Sequence, residues 1–188
     1  MKFESFKSWC KKLFESEEER YGCAMLLADI HNWKNHLAMI KKEDIYDNTE
    51  HDYGYADEPH ITLLYGIHQD EVDLDEVFEI FKNIEPISVV IDTISIFEND
   101  ENYDVVKYNV PVSEQLKEYR EMFKQFPNTQ TFEGYKPHIT IAFVKKGEGK
   151  KYVKKIKPFK INFNKAFYSS PNYDKKYFEL EHAKAYQY

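Results

Sequence analysis

One tetrapeptide, Pro-His-Ile-Thr, occurs twice in the chain, at residues 59–62 and 137–140, so that its two histidines lie 78 positions apart. Each copy opens a β-branched, apolar run, over 60–67 and 138–144, and such runs predict strands. Side chains alternate between the two faces of a strand, so the histidine and threonine of each copy share one face. Two such strands facing one cleft would gather two imidazoles and two hydroxyls, a set suited to acid and base chemistry without a metal.

The candidate catalytic residues are therefore His60, Thr62, His138 and Thr140. Histidine titrates near neutral pH, so one imidazole can act as the base while the other, protonated, acts as the acid. The two hydroxyls can donate hydrogen bonds to a negative charge that builds on a substrate in the transition state. The sequence does not decide which histidine is the acid. Each motif offers one good metal ligand, so we expect neither a metal nor another cofactor.

Length and composition restrict the class of protein. The chain has 188 residues, of which 42% are hydrophobic, and it contains 15 tyrosines and 14 phenylalanines, so it can bury a real core. Its two cysteines, Cys10 and Cys23, lack metal-type spacing. No apolar run approaches the roughly 20 residues of a membrane span, and the start lacks a signal-peptide pattern. We expect a soluble cytoplasmic protein with no membrane partner.

The net charge of −7 is unevenly distributed. Residues 136–160 contain nine lysines and one acid, so this stretch carries +8 and the rest of the chain carries −15. An acidic body disfavours long nucleic acid, because neutralising phosphates supplies most of that affinity. The lysine-rich stretch has two interpretations, a solvated face or a rim that attracts a small phosphate-bearing ligand.

The periodicity of apolar residues predicts two repeated lobes. Residues 3–14 have helical spacing, so 1–20 are assigned to an N-terminal amphipathic helical extension and 21–188 to a single two-lobed domain. Strands are predicted at 21–30, 60–67, 87–97, 105–110, 138–144, 159–167 and 177–181. Helices are predicted at 31–42, at 74–83 and from Ser113 to about residue 126. The predicted fold is α+β, with two pseudo-symmetric lobes, a central, mainly antiparallel sheet and helices outside.

Aromatic residues supply candidates for substrate binding. A planar ring of a ligand can stack on an aromatic side chain, and Tyr21, at the start of the first strand, is the preferred candidate. Tyr186 in the C-terminal tail is the second candidate, and an ordinary place in the core or rim is an equal alternative for Tyr21. Residues 43–58 have turn composition and are predicted to be a lid whose Tyr53 and Tyr55 close over a ligand.

With both motifs in place, the chain resembles the 2H phosphoesterase superfamily, whose signature is a pair of His-x-Ser/Thr strands on two pseudo-symmetric lobes facing one cleft. The resemblance covers roughly residues 21–181. Residues 57–68, together with the earlier strand Met25–Asp29 and Trp33, are similar to the phage anti-CBASS nucleases, which destroy the cyclic di- and trinucleotide signals of bacterial CBASS immunity.

This resemblance implies a metal-independent phosphodiesterase that cleaves 3′-5′ bonds of small cyclic oligonucleotides, such as 3′,3′-cGAMP, through or to a 2′,3′-cyclic phosphate. For a phage-encoded protein the location would be the host cytoplasm. Two other functions stay open: an RNA-end 2′,3′-cyclic phosphodiesterase acting on tRNA or oligoribonucleotides, and a non-catalytic sponge for a cyclic nucleotide. A sponge has no need for two proton-transfer groups. The sequence leaves open whether the protein is a monomer or an oligomer.

Overall fold

The computed structural model describes residues 21–47, 53–98, 102–130 and 134–182. The predicted N-terminal helical extension, residues 1–20, and Tyr186 lie outside these ranges. The strands of the described part are β1 (Tyr21–Asp29), β2 (His60–His68), β3 (Ile87–Phe97), β4 (Tyr103–Asn109), β5 (His138–Lys145), β6 (Lys154–Ser169) and β7 (Lys175–Glu179). Its helices are α1 (Trp33–Leu37), α2 (Leu74–Asn83) and α3 (Glu114–Lys124), with 3₁₀ turns at Lys42–Asp44, Gln69–Glu71 and Glu148–Tyr152.

The described strands form one sheet in which the pairings are antiparallel. Their order is β2-β1-β6-β3-β4-β5, and β7 pairs with β6. The long strand β6 therefore lies between the antiparallel pair β1–β2 and the three strands β3, β4 and β5. The two motif strands stand at opposite ends of this order, yet β2 and β5 contact each other, so the sheet curls until its ends meet. The predicted α+β architecture with a central antiparallel sheet is confirmed.

Helices α2 and α3 cover the outer, convex face of the curled sheet. Each begins at a capping side chain: Asp73 accepts a hydrogen bond from the Asp75 N–H, and Ser113 accepts one from the Leu116 N–H. The apolar sides of both helices join the main core, which includes Val77, Phe78, Ile80, Phe81, Leu116, Tyr119 and Phe123. Ile61 and Ile139, the central residues of the two motifs, are completely buried in the same core. Because strand side chains alternate, the motif histidines and threonines face the opposite, concave side.

Each motif strand is covered at its outer edge by a segment from the other half of the chain. Backbone hydrogen bonds of 2.8 and 2.9 Å join residues 54–56 to β5, and bonds of 2.9 Å join residues 127–129 to β2. Gly66 makes the second contact possible, because its φ is +91° and a Cβ there would lie 2.1 Å from the Thr129 carbonyl oxygen. The outer edge of each motif strand is therefore paired with residues from the other half of the chain.

Two predicted elements differ from the observed ones. The predicted helix over 31–42 is helical only in α1, because Asn32 adopts a left-handed φ of 54° and the chain turns after α1 to reach the edge of β5. The described part of the predicted lid runs along that edge, where Tyr55 donates a hydrogen bond to the Ile40 carbonyl and Tyr53 packs on Phe143. This part of the loop extends the sheet rather than forming a lid.

Strand β6 begins at Lys154, earlier than the predicted 159, because the lysine-rich stretch continues pairing with β3. Within the described ranges, no helix combines the length and the apolar character needed to cross a membrane.

Candidate active site

The first motif places His60 at the start of β2, on the concave face. The preceding proline has no N–H to donate, but its carbonyl oxygen accepts a 2.8 Å hydrogen bond from the Ala28 N–H, which extends the pairing of β1 and β2 to the motif. Nδ1 of His60 lies 2.8 Å from the Glu58 carbonyl oxygen. A carbonyl can only accept a hydrogen bond, so Nδ1 carries the proton and Nε2 is left as the reactive nitrogen.

The second motif repeats this arrangement at the start of β5. The Pro137 carbonyl oxygen accepts a hydrogen bond from the Val110 N–H at 3.2 Å, and Nδ1 of His138 donates to the Lys136 carbonyl at 3.0 Å. Each histidine therefore donates to the carbonyl two residues before it. The two imidazoles are held in the same tautomer, with Nε2 of each available to a substrate.

The curled sheet brings the two histidines into one cleft. β2 and β5 are in contact, and the two imidazoles are near enough that a charge on His60 would lower the pKa of His138. Across the same seam, the Tyr135 hydroxyl donates to the Thr62 carbonyl at 3.2 Å, and the Arg120 guanidinium donates to the Leu63 carbonyl at 2.7 Å. Side chains from the second half of the chain thus fix the edge of the first motif strand.

Burial lowers the pKa of both imidazoles in the free protein, which favours their neutral forms. The pKa of His138 is lowered to about 4, chiefly by burial and also by the charges of Lys107 and His60, against the hydrogen bond to the Lys136 carbonyl. Burial is also the main cause that lowers the pKa of His60; the hydrogen bond to the Glu58 carbonyl raises it, the charge of Lys175 lowers it and the Glu58 carboxylate raises it. A lysine therefore acts on each histidine, Lys175 on His60 and Lys107 on His138, and at His60 the Glu58 carboxylate opposes it.

The first half of the cleft is apolar. Leu27 and Met25 of β1 pair with His60 and Thr62, and Phe167 of β6 meets the His60 ring edge-on at 5.7 Å. A second hydrophobic cluster continues along this face and comprises Tyr21, Cys23, Met25, Tyr65 and Phe167. A groove of about 570 Å³ opens beside the motif, bounded in part by Trp33, Glu58 and Lys175.

The second half of the cleft is polar and cationic. Asn109 and Lys107 of β4 pair with His138 and Thr140, at the places that Leu27 and Met25 occupy in the first half. Phe97 of β3 meets the His138 ring edge-on at 4.8 Å. The two halves thus share the histidine, the threonine and the perpendicular phenylalanine, and they differ in the residues on the neighbouring strand.

Three of the nine lysines of the lysine-rich stretch form ion pairs with carboxylates. Lys146 pairs with Asp104 at 3.1 Å, Lys150 with Glu98 at 3.4 Å and Lys151 with Asp44 at 2.6 Å. These pairs favour the interpretation of a solvated, paired face over that of a phosphate-attracting rim for this part of the stretch.

The structure does not bring Tyr21 to the histidines. Tyr21 pairs with His68, at the far end of β2 from His60, which is roughly 26 Å along β2 at about 3.3 Å per residue. Its side chain is buried, and its hydroxyl accepts a 3.2 Å hydrogen bond from Thr129. Base stacking by Tyr21 stays a prediction, and the second candidate, Tyr186, lies outside the described residues.

Comparison with known protein families gives one match that spans most of the chain. The model of the 2′-5′ RNA ligase superfamily matches residues 30–164, a range that includes both motifs. The chain belongs to the 2′-5′ RNA ligase superfamily. This family lies within the 2H phosphoesterases that the paired motifs predict. A comparison with curated protein sequences gives no match.

Solved structures with the same fold cover nearly the whole domain. A crystal structure of E. coli LigT complexed with 3′-AMP has a TM-score of 0.53 and 13% identity, over 87% of this chain and 97% of that one. A second LigT structure, complexed with NADP+, has a TM-score of 0.50 and 12% identity, over 87% and 96%. A structure titled as a phosphoesterase gives 0.50 and 14%, over 87% and 97%. At these identities the likeness concerns the fold alone.

Sequence reasoning did not find the residues that distinguish the two halves in this superfamily member. Lys107 and Asn109 alternate with the buried Val106 and Tyr108 in β4, and this alternation is the signal that they share a face. The pairing of β4 with β5 turns that face toward the second motif, and the sequence alone does not reveal this pairing. In the described part of the chain, no three His, Cys, Asp or Glu side chains cluster as metal ligands do.

Proposed function

We propose that this protein is a 2H-type phosphodiesterase that cleaves a 3′-5′ phosphodiester next to a ribose 2′-hydroxyl, and that its substrate is a small cyclic di- or trinucleotide such as 3′,3′-cGAMP. The single observation that carries the reaction type is the matched pair of histidines, each with Nδ1 bound to a carbonyl and Nε2 left for proton transfer. A base and an acid on opposite sides of one phosphate are what transesterification by a neighbouring hydroxyl requires.

In this mechanism His138 is the base. Its pKa of about 4 keeps Nε2 unprotonated at neutral pH, so it can take the proton of the 2′-hydroxyl as that oxygen attacks phosphorus. His60 is the acid: the bound phosphate and the Glu58 carboxylate favour its protonated form, against burial and the charge of Lys175, which lower its pKa in the free protein. His60 gives its proton to the 5′-oxygen as the P–O5′ bond breaks, which yields a 2′,3′-cyclic phosphate and a free 5′-hydroxyl.

A second step would hydrolyse the cyclic phosphate. His60, now neutral, takes a proton from a water molecule as the water oxygen attacks phosphorus, and the protonated His138 returns its proton to the 2′-oxygen as the P–O2′ bond breaks. The product is a 3′-phosphate. Thr62 and Thr140, each two residues after its histidine and on the same face of the strand, would donate hydrogen bonds to the non-bridging oxygens of the phosphate while negative charge builds there.

Two features support a small cyclic substrate. Outside residues 136–160 the chain carries a net charge of −15, which opposes long nucleic acid. The residues around the first motif also resemble those of nucleases that act on CBASS signals. An RNA-end 2′,3′-cyclic phosphodiesterase is the second candidate, and one observation favours it: the similar E. coli LigT was crystallised with 3′-AMP, a ribonucleotide with a 3′-phosphate.

The test is incubation of the purified full chain, in EDTA, with 3′,3′-cGAMP and separately with a linear oligoribonucleotide ending in a 2′,3′-cyclic phosphate, with products identified by mass. Linear dinucleotide ending in a cyclic or 3′-phosphate supports the proposal. Opening of the RNA end alone transfers the function to the second candidate, and no turnover of either by a folded protein that binds cGAMP indicates the sponge. A 2′-deoxy analogue at the scissile nucleotide is the matched control, because it lacks the attacking hydroxyl.

A further inference from the structure

Lys107 is a buried cation whose charge the described part of the protein does not balance. Its residue is 6% exposed, and it is the one lysine among the described residues with so little contact with solvent. Lysine side chains are rarely buried without a carboxylate partner. No ion pair joins Lys107 to a carboxylate in the described ranges, whereas Lys146, Lys151 and Lys175 each have one.

The surroundings of Lys107 hold the ammonium group in place without neutralising it. Nζ donates to Ser95 Oγ at 2.8 Å and to Asn109 Oδ1 at 2.7 Å, and it lies 4.1 Å from the centre of the Phe97 ring. Ser95 in turn donates to Asn109 Oδ1 at 2.5 Å, so the two acceptors are fixed to each other. An ammonium group has three N–H donors, and two are used here.

The third donor belongs to the catalytic cleft. Lys107 pairs with Thr140 and its neighbour Asn109 pairs with His138, so these side chains share the concave face. Phe97 contacts both the ammonium group and the His138 ring. The pseudo-symmetric position in the first half is Met25, which pairs with Thr62. The cleft therefore carries an unneutralised positive charge on one side only.

We propose that Lys107 is a catalytic residue that binds the substrate's phosphate, its ammonium group donating to a non-bridging oxygen beside His138 and Thr140. This inference deepens the proposed function and depends on it for the identity of the anion. The bound phosphate would be the counter-charge that the protein itself lacks, and it would orient phosphorus toward Nε2 of His138. The same charge stabilises the additional negative charge on phosphorus in the transition state.

The experiment measures binding of inorganic phosphate to the full chain by following the His138 ring resonance in NMR titrations. Lys107→Met is the main variant, because it keeps the aliphatic stem on Phe97 and gives the second half the residue of the first. Lys160→Met, at an exposed lysine of β6, is the matched control for net charge. We expect Lys107→Met to weaken phosphate binding by about 10- to 100-fold, the range for one charge-assisted hydrogen bond, and Lys160→Met to change it less than twofold.

Stability and pH separate this role from a structural one. Removing an unpaired buried charge is expected to leave the melting temperature of Lys107→Met unchanged or higher, whereas a structural lysine would lower it. Burial and the charge of Lys136 lower the pKa of Lys107 to about 8, so the ammonium group loses its proton as the pH rises from 7 to 9. Binding of sulfate, the anion used for the pH series, should be lost over the same range. Around Lys107, β3 presents the neutral Ser95 and Phe97, and β5 presents His138, which stays neutral over this range.

Sulfate is the probe in the pH series because its charge does not change between pH 7 and 9. Lys107→Arg should keep sulfate binding up to pH 9, since a guanidinium stays protonated. Phosphate affinity of Lys107→Met equal to that of the wild type would overturn the inference, and so would a sulfate affinity of the wild type independent of pH. The anion titrations need no turnover, so they test anion binding by Lys107 even if the protein shows none of the proposed phosphodiesterase activity.

Discussion

The two halves of the cleft present the same reacting groups in different surroundings. Each half supplies a histidine whose Nδ1 donates to the carbonyl two residues earlier and whose ring meets a phenylalanine edge-on. In each half a lysine also lies over that phenylalanine: Lys175 over Phe167 at 5.1 Å and Lys107 over Phe97 at 4.1 Å. Lys175 is paired with the Glu58 carboxylate at 2.5 Å, whereas Lys107 has no such partner among the described residues.

In the proposed mechanism, this difference separates proton transfer from substrate recognition. Proton transfer would use one donor and one acceptor in mirrored positions, which matches the repeated geometry of the motifs. Recognition would use one side to hold an anion and the other to hold an apolar group, which matches the different residues on the neighbouring strands. Changes that exchange or remove these features test the separation.

The largest expected effect comes from the histidines and should be similar in both halves. His60→Asn and His138→Asn should each lower kcat by about 10²- to 10⁴-fold, the usual contribution of a general acid or base. Steady-state kinetics on the preferred substrate measures both, with circular dichroism to show that the fold is kept. A variant that retains the wild-type kcat would show that the replaced histidine takes no part in proton transfer, and that the two halves do not contribute equally to the reaction.

The threonines should distinguish the halves. Thr62 stands beside Met25, whereas Thr140 stands beside Lys107, which can support the same non-bridging oxygens. We expect Thr62→Val to lower kcat about 100-fold and Thr140→Val about 10-fold, near the range for single transition-state donors. In the double variant Thr140→Val/Lys107→Met, the second half should lose as much as the first. Equal losses for the two single variants would contradict the unequal surroundings.

The pKa of His138 makes stability depend on pH. An unfolded chain takes up a proton on histidine below pH 6.5, but folded His138 does so only near pH 4, so the unfolded state binds more protons in between and stability falls as the pH drops. At pH 5 this group should reduce the free energy of unfolding by about 2 kcal/mol relative to pH 7.5. Thermal melts of wild type and His138→Asn check this, and the variant should lose less stability over the same interval. Parallel melting curves would show that burial does not lower this pKa.

The smallest effect should come from freeing the first-half lysine. Burial raises the pKa of Glu58, but hydrogen bonds from Lys175 and Tyr177 outweigh it and hold that pKa below its usual value. Glu58→Gln removes the pairing charge and should cost about 0.5–1 kcal/mol at pH 7, since the pair is partly exposed. Inorganic phosphate should then bind slightly more tightly, because both halves carry an unpaired lysine. Weaker phosphate binding in this variant would show that the two lysines are not comparable.

The strands and their order along the chain could be predicted from the sequence because alternation is a local signal. β3 and α2 have the predicted bounds, and the other strands differ by a few residues. The helix over 31–42 could not be predicted correctly, since its apolar spacing also suits a chain that buries Ile40 after a turn. Tertiary contacts with β5, rather than helix propensity, decide the outcome there.

The candidate catalytic residues could be predicted because the same tetrapeptide occurs twice in one sequence, and the repeat sets its histidines and threonines apart from the others. The residues that make the halves unequal could not be predicted, because Lys107 reaches the second motif only through the pairing of β4 with β5. Strand order is a non-local property, and the curl that joins the two ends of the sheet has no sequence signature of its own. No sequence pattern marks Glu58, yet its carbonyl oxygen fixes the tautomer of His60.

The position of β6 in the sheet affects when the protein can fold during its synthesis on the ribosome. This strand occupies the middle of the sheet but is synthesised after every strand except β7. Until residues 154–169 emerge, no strand lies between the pair β1–β2, which carries the first histidine, and the strands β3, β4 and β5, which carry the second. The edges of β1 and β3 that pair with β6 in the folded protein are then unpaired. Such late, long-range pairing is intrinsically slow. Catalytic competence is therefore acquired at the end of synthesis, and a nascent chain truncated before β6 would carry both histidines without a working cleft.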